Sequence, residues 1–235
     1  MTVLRAHRED IELRTEDGLR LVGELATPAS GEIAATLITL HPLPTHGGFM
    51  DSHVYRKASW RLPELANIAV LRFNTRGTHS PRGTSEGAFS EGGPEGADVR
   101  AAVDFAVTHG LPHRWLVGWS FGTELALMHG ANLDVEGAVL LSPPLHRAQP
   151  SDLERWAATG KPVTALVPEF DDYLRPDAAA QAFGPLTQAR LVPVEGAKHL
   201  WVGEAYVRRV LDEIVAAVAP GQGPLPTHVD LSVVE

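Results

Sequence analysis

Trp115-Leu116-Val117-Gly118-Trp119-Ser120-Phe121-Gly122-Thr123-Glu124-Leu125 is the stretch on which the reading of this chain turns. Trp115 to Gly118 is a short apolar run of strand type, and Phe121 to Gly130 has helical spacing. Between them, Gly118-Trp119-Ser120-Phe121-Gly122 fits the pattern G-x-S-x-G and puts a serine on a sharp strand-to-helix turn. Such a turn exposes the hydroxyl and aims the next backbone N–H at a developing oxyanion. Its glycines are needed because neighbouring backbone comes too close for a Cβ. With 22 glycines in the chain, chance alone produces the pattern about 0.09 times. The flanking strand and helix therefore carry the weight. The bland alternative is a glycine-rich turn whose serine only caps the helix.

Outward from this turn, short apolar runs alternate with longer helical patterns. Ile11 to Arg14 and Leu19 to Ala26 flank Asp17-Gly18, a hairpin signal. Ala34 to Leu40 is apolar on both faces, as an interior strand must be. Ser52 to Ala66 reads as a helix that Pro63 breaks or bends near its end. Ile68 to Phe73 is a strand and Ala97 to Val107 a helix. Beyond the serine, strands are expected at Ala138 to Leu141, Val163 to Val167 and Ala189 to Val194. Helices are expected at Ser151 to Ala158, with Ser151 as N-cap, at Pro176 to Phe183 and at Val202 to Val218. Beyond the opening hairpin, strands alternating with helices predict an α/β domain built on a mostly parallel sheet with helices on both faces. Residues 1–219 read as that single domain. Residues 220–235, opening with Pro220-Gly221-Gln222-Gly223-Pro224, read as a tail without its own fold.

The composition removes several alternatives. The chain of 235 residues has 20 Lys+Arg against 29 Asp+Glu, a formal net charge of −9. Nucleic-acid binding needs the opposite balance. With no cysteine, there is no disulfide framework, thiolate nucleophile or Cys-ligated metal. Met1 to Asp10 is polar, and no run approaches the ~20 apolar residues of a membrane span. The expectation is a soluble cytoplasmic protein with no membrane contact, acting on a small molecule without a cofactor. Leu231 to Glu235 could serve as a dimer arm, so a homodimer stays open.

An activated serine on this turn demands an acid after a later strand and a histidine after the last one. Val163 to Val167 runs into Pro168-Glu169-Phe170-Asp171-Asp172, and Ala189 to Val194 into Glu195-Gly196-Ala197-Lys198-His199. His199 is the expected general base and Asp171 the favoured acid, with Asp172 in reserve and Glu169 third. The loop after Leu40 is His41-Pro42-Leu43-Pro44-Thr45-His46-Gly47-Gly48. Its prolines have no N–H, so Leu43 is the expected partner of Phe121 in holding an oxyanion.

The same segments resemble small bacterial members of the α/β-hydrolase superfamily. Those proteins carry His-Pro-x-Pro…Gly-Gly after one strand and Arg-Phe-Asn-x-Arg-Gly after the next. This chain has His41-Pro42-Leu43-Pro44…Gly47-Gly48 and then Arg72-Phe73-Asn74-Thr75-Arg76-Gly77. Ser85-Glu86-Gly87, the serine turn, Asp171 and His199 follow in order. The resemblance runs to about Ala219. It implies the α/β-hydrolase fold, a central sheet of about eight strands, and a Ser-His-Asp hydrolase of esterase type. Thr78 to Gly83 departs from it as an insertion. Relatives commonly carry a lid after the strand matching Ala138 to Leu141; only Ser142 to Pro162 is available here, so a minimal lid and an open, shallow site are expected.

Trp119, Leu145, Trp156, Tyr173 and Trp201 are candidate walls for a small ester or thioester, though each is individually more common in a core. Two other classes compete. His41, His46 and His53, with Asp51, would have to converge for metal-dependent hydrolysis, but their spacing matches no zinc motif. A non-catalytic binding protein on the same fold is the second alternative.

Overall fold

The computed structural model describes residues 3–228 and 233–234. The chain opens with an antiparallel hairpin, β1 (His7–Arg14) and β2 (Arg20–Thr27), paired in register from His7↔Thr27 to Arg14↔Arg20. At its turn Gly18 sits at φ +89°, and Thr15 Oγ1 accepts the Leu19 N–H at 2.8 Å. The first strand starts four residues ahead of the expected Ile11. His7 to Asp10 lies on the sheet edge, where charged residues discourage pairing with another chain and erase the apolar alternation.

The remaining strands are β3 (Ala35–Leu40), β4 (Ile68–Phe73), a short hairpin of β5 (His79–Ser80) with β6 (Gly83–Thr84), β7 (Arg114–Trp119), β8 (Gly137–Leu141), β9 (Val163–Pro168) and β10 (Ala189–Val194). The main sheet has eight strands in the order β1-β2-β4-β3-β7-β8-β9-β10. From β4 to β10 all neighbours are parallel, and β2 runs antiparallel to β4. β3, β4, β7, β8 and β9 are buried almost throughout, which explains their unbroken apolar runs.

Among the described residues, six α-helices cover both faces: α1 (His53–Ala66), α2 (Glu95–Thr108), α3 (Phe121–His129), α4 (Pro150–Thr159), α5 (Pro176–Ala182) and α6 (Glu204–Val218). Val54, Leu62, Val207 and Leu211 of α1 and α6 pack with Trp119 and Trp201 on one face. Val99, Leu125, Trp156 and Phe183 pack on the other. Each layer removes an apolar helix stripe from water at about 25 cal/mol per Å² buried.

One local expectation is narrowed and one is corrected. Pro63 does not break α1, which continues to Ala66. The Ser59 carbonyl that loses its helical donor to Pro63 instead accepts the Arg8 guanidinium at 3.2 Å. Nor does Ser151 cap α4. Pro150 occupies the first helical position, Gln149 is the cap residue, and Asp152 accepts the Gln149 N–H at 2.7 Å.

The only helix between β8 and β9 is α4, and it packs against α3. After α6 the chain turns at Pro220–Gln222, and Leu225 is buried against the α6 layer. Arg208 donates to the Pro226 carbonyl at 2.8 Å. Of the arm expected at Leu231 to Glu235, Leu231, Ser232 and Glu235 lie outside the described residues.

The strand order reverses at β3. One connection leaves β3 toward β4, and the chain later returns to pair β7 on its other side. Parallel α/β sheets place ligand sites beyond the carboxyl ends of the strands at such a reversal. Those ends are Leu40 and Trp119. The Tyr55 hydroxyl ties them together, 3.0 Å from the Leu40 carbonyl and 2.7 Å from that of Val117.

Candidate active site

Ser120 follows β7 directly, and α3 begins at the next residue. Its backbone is at φ 52°, ψ −114°, a region L-residues seldom occupy and one that stores strain. Backbone packing holds it there. A Cβ on Gly118 would overlap the Gly122 carbonyl, and one on Gly122 would overlap the Leu40 carbonyl. Gly118 thus answers to a contact across the turn and Gly122 to the end of the neighbouring strand β3.

The hydroxyl meets a histidine. Ser120 Oγ lies 2.8 Å from His199 Nε2, and His199 Nδ1 lies 2.9 Å from Asp171 Oδ2. A carboxylate only accepts, so Nδ1 carries the ring proton and Nε2 is left to accept from the serine. The second oxygen of Asp171 accepts the Tyr173 N–H at 2.8 Å and the Leu174 N–H at 3.3 Å. These bonds fix the carboxylate on the loop after β9. Asp172 points to solvent, and Glu169 accepts the Gly196 N–H at 2.7 Å, joining the loops after β9 and β10. The three strand ends therefore bring Ser120, Asp171 and His199 into one hydrogen-bonded chain.

The main chain of His199 is pinned too: its carbonyl accepts from the Trp119 indole at 3.2 Å and the Ser142 hydroxyl at 3.0 Å. Trp119 is buried, with its edge against His53 and Tyr55, and holds the base in place from behind instead of forming a wall.

On the other side lies the loop after β3. His41 is fully enclosed; its Nδ1–H donates to the Pro42 carbonyl at 2.7 Å, and Nε2 accepts the Thr75 N–H at 3.1 Å. Burial pushes its pKa down to about 4, so the ring is neutral and acts as a fixed clamp between the β3 and β4 loops. The Leu43 carbonyl accepts from His46 at 3.0 Å and from Gly48 at 3.0 Å, closing the turn. The Leu43 N–H has no acceptor among the described residues. Neither has that of Phe121 within α3, because the first helical N–H has no carbonyl behind it. The histidines weighed for zinc do not converge: His41 uses both nitrogens on the protein, and His53 faces the Trp201 carbonyl at 3.3 Å. Among the described residues, no three potential ligands cluster.

The Arg72-Phe73-Asn74-Thr75-Arg76-Gly77 segment braces this side. Buried Arg72 pairs with Glu24 and Asp51, and Arg82 joins both carboxylates from the β5–β6 hairpin. Thr78 to Gly83, expected as an insertion, falls in that hairpin, which Arg82 holds to Glu24 and Asp51. Arg76 donates to Asp98 at 2.7 Å and to Asp17 at 2.9 Å. Asn74 accepts the Met50 N–H at 2.9 Å.

A cavity of about 320 Å³ opens over the hydroxyl, lined by Pro42, Leu43, His46, Ser120, Phe121, Pro144, His146, Arg147, Tyr173, His199 and Leu200. Of the five expected walls, Tyr173 is there, its ring 4.7 Å from that of His199 and 56% exposed. The other four are corrected. Trp156 is enclosed beneath α4 and donates to the Ala126 and Leu127 carbonyls at 3.2 Å. Trp201 is enclosed in the α6 layer, Leu145 packs into the opposite core, and Trp119 lies behind His199. His146, Arg147 and Leu200 were not anticipated; the one available signal was their place just after a strand or the histidine. A larger cavity, about 560 Å³, lies between α1, α6 and the C-terminal stretch, far from the Ser120 hydroxyl in the fold. It is bounded by Thr227, His228 and Val234, on either side of residues outside the described set.

The sheet order, the single reversed strand within it and the strained turn at the switch point define an α/β-hydrolase fold. Solved structures share it over nearly the whole chain. A lidless α/β serine hydrolase from Xanthomonas campestris superposes with a TM-score of 0.75 at 24% identity, covering 97% of this chain and 99% of that one. An α/β serine hydrolase homologue from Coxiella burnetii gives 0.73 at 24% identity over 90% and 97%. The Pyrococcus furiosus esterase Pf2001 gives 0.71 at 17% identity over 91% and 94%. At these identities the likeness is one of fold. No protein-family model matches the chain, and no curated protein does. No helix among the described residues is long and apolar enough to cross a membrane.

Proposed function

We propose that the protein is an esterase-like serine hydrolase that cleaves a small ester or thioester through an acyl-enzyme on Ser120. What supports this most is the unbroken run Ser120 Oγ–His199 Nε2 and His199 Nδ1–Asp171 Oδ2, at 2.8 and 2.9 Å. His199 takes the hydroxyl proton as Oγ bonds to the acyl carbon, and the carbonyl π electrons move to oxygen. The Leu43 and Phe121 N–H groups hold that oxyanion. Collapse breaks the bond to the leaving alkoxide or thiolate, which receives the proton from His199. Water then enters, gives its proton to His199 and attacks the acyl carbon; Ser120 leaves with that proton. The Asp171 carboxylate orients the ring and stabilises the transient imidazolium.

No residue of α4, the helix between β8 and β9, lines the cavity over Ser120, and a site left open in this way favours small substrates. The lidless relative from Xanthomonas campestris has the same open plan. The test is saturable hydrolysis of short-chain para-nitrophenyl esters and acyl thioesters. Ser120→Ala and His199→Ala should each lower kcat/KM by about a thousandfold or more while the protein stays folded. A folded wild type that cleaves none of them would overturn the enzyme reading in favour of a binding protein.

A further inference from the structure

The cavity over Ser120 differs in charge from the molecule around it. The chain has a net charge of −9, yet the residues lining this cavity include Arg147 and three imidazoles and no carboxylate.

Arg147 is held unusually firmly for a surface arginine. Glu124, buried on α3 four residues past Ser120, accepts the N–H groups of His146, Arg147 and Ala148 at 2.6, 3.0 and 2.6 Å. The guanidinium lies 5.2 Å from the Phe121 ring centroid. Its Nε donates to the Glu91 carbonyl at 3.1 Å and its Nη2 to the Glu91 carboxylate at 2.5 Å. The Glu91 loop is fixed in turn by a second buried carboxylate: Glu95 accepts the Ser90 and Gly92 N–H groups at 2.6 and 2.8 Å. Nη1 has no acceptor among the described residues.

Two enclosed carboxylates thus order two loops around one guanidinium. Stability alone does not account for this, because Glu91 is 72% exposed and a solvent-facing pair is worth at most about 1 kcal/mol. Pre-organisation for a ligand does account for it. A guanidinium fixed on the ring of the oxyanion-side residue presents its unengaged N–H groups to an anion entering the cavity, and Glu91 is exposed enough to yield its place.

We infer that Arg147 binds a carboxylate on the substrate, so that the preferred substrate is a small ester or thioester carrying one negative charge. This rests on the hydrolase reading of Ser120. The shared chemistry is the carboxylate, and its place on the acyl or the leaving group is distinguished by two substrate pairs. One pair is para-nitrophenyl hemiglutarate against para-nitrophenyl pentanoate; the other is para-acetoxybenzoate against phenyl acetate. In wild type, the anionic member of one pair should be favoured in kcat/KM by about tenfold or more, as a charged hydrogen bond permits. Arg147→Gln should lower that ratio about tenfold, through KM, and Arg147→Lys should restore part of it.

Wild type that cleaves the neutral esters and takes a fluorophosphonate label, yet shows no preference in either pair, overturns this inference alone. So does a preference that Arg147→Gln leaves intact. Wild type that neither cleaves nor labels overturns the hydrolase reading and this inference with it.

Discussion

Two buried polar assemblies flank the switch point, and they are built to opposite ends. Around Arg72, the guanidinium meets Glu24 and Asp51, and Arg82 closes the group from the hairpin. Burial pushes the Glu24 carboxyl up, but Arg72 and Ser59 outweigh it, so its pKa lies below the ordinary carboxylate range. Around Ser120, the chain of bonds instead ends on a hydroxyl that opens into a cavity, on a backbone at φ 52°. Both assemblies bury ionisable groups in short contacts. Burial of charge therefore does not mark a site; strain, an open end and unengaged N–H donors do.

The comparison breaks most sharply at Asp171. Asp171→Asn should keep the fold and lower kcat by about a hundredfold to ten-thousandfold, because the amide favours the wrong ring tautomer. Its exposed neighbour provides the contrast: Asp172→Asn should stay within about twofold of wild type. Steady-state kinetics on a short-chain ester decides both. A large loss in Asp172→Asn with Asp171→Asn near wild type would return the acid to Asp172.

At the other assembly the effect should fall on stability. Arg72→Ala leaves Glu24 and Asp51 short of their buried partner and should cost about 3 kcal/mol in denaturant unfolding. Arg190→Ala removes an exposed pair with Glu213 at 2.6 Å and should cost under about 1 kcal/mol. If Arg72→Ala is as mild, the Arg72 group is not what braces the β3 and β4 loops.

A pH-dependent effect is expected from His41. Its folded pKa of about 4 lies below the unfolded value of about 6.5. The unfolded chain thus binds the proton first, and stability falls as pH drops from about 6.5 toward 4. His41→Gln, neutral throughout, should have lower stability at pH 7 and a flatter slope across that window. An unchanged slope would mean that His41 does not stay neutral inside the fold.

How much of this was legible in the sequence varied with the kind of constraint. Ser120 was legible because the strained turn leaves no room for a side chain at Gly118, a local requirement, while Gly122 is fixed by the Leu40 carbonyl of the neighbouring strand. Asp171 and His199 were legible because parallel strands end on one edge, so chain order alone placed them together. The choice between Asp171 and Asp172 was not, since adjacent residues point opposite ways and only the fold says which faces the imidazole. Cavity walls were least legible. Trp119, Trp156 and Trp201 have the right chemistry for a wall, but they are held in the core by packing with residues distant in sequence. Arg147 owes its place to Glu124 and Glu91, which no spacing connects to it. The start of α4 was misplaced because Ser151 is a good cap by type, while Pro150 fits the first turn better.

The central claim is that Ser120 is an activated nucleophile. Intact-mass labelling with a fluorophosphonate, on wild type and Ser120→Ala, tests it most directly: Oγ displaces fluoride and gains one phosphonyl group. A single adduct on wild type that is absent from the folded variant is the predicted result. A folded wild type that stays unlabelled, or an adduct that survives in Ser120→Ala, would contradict it.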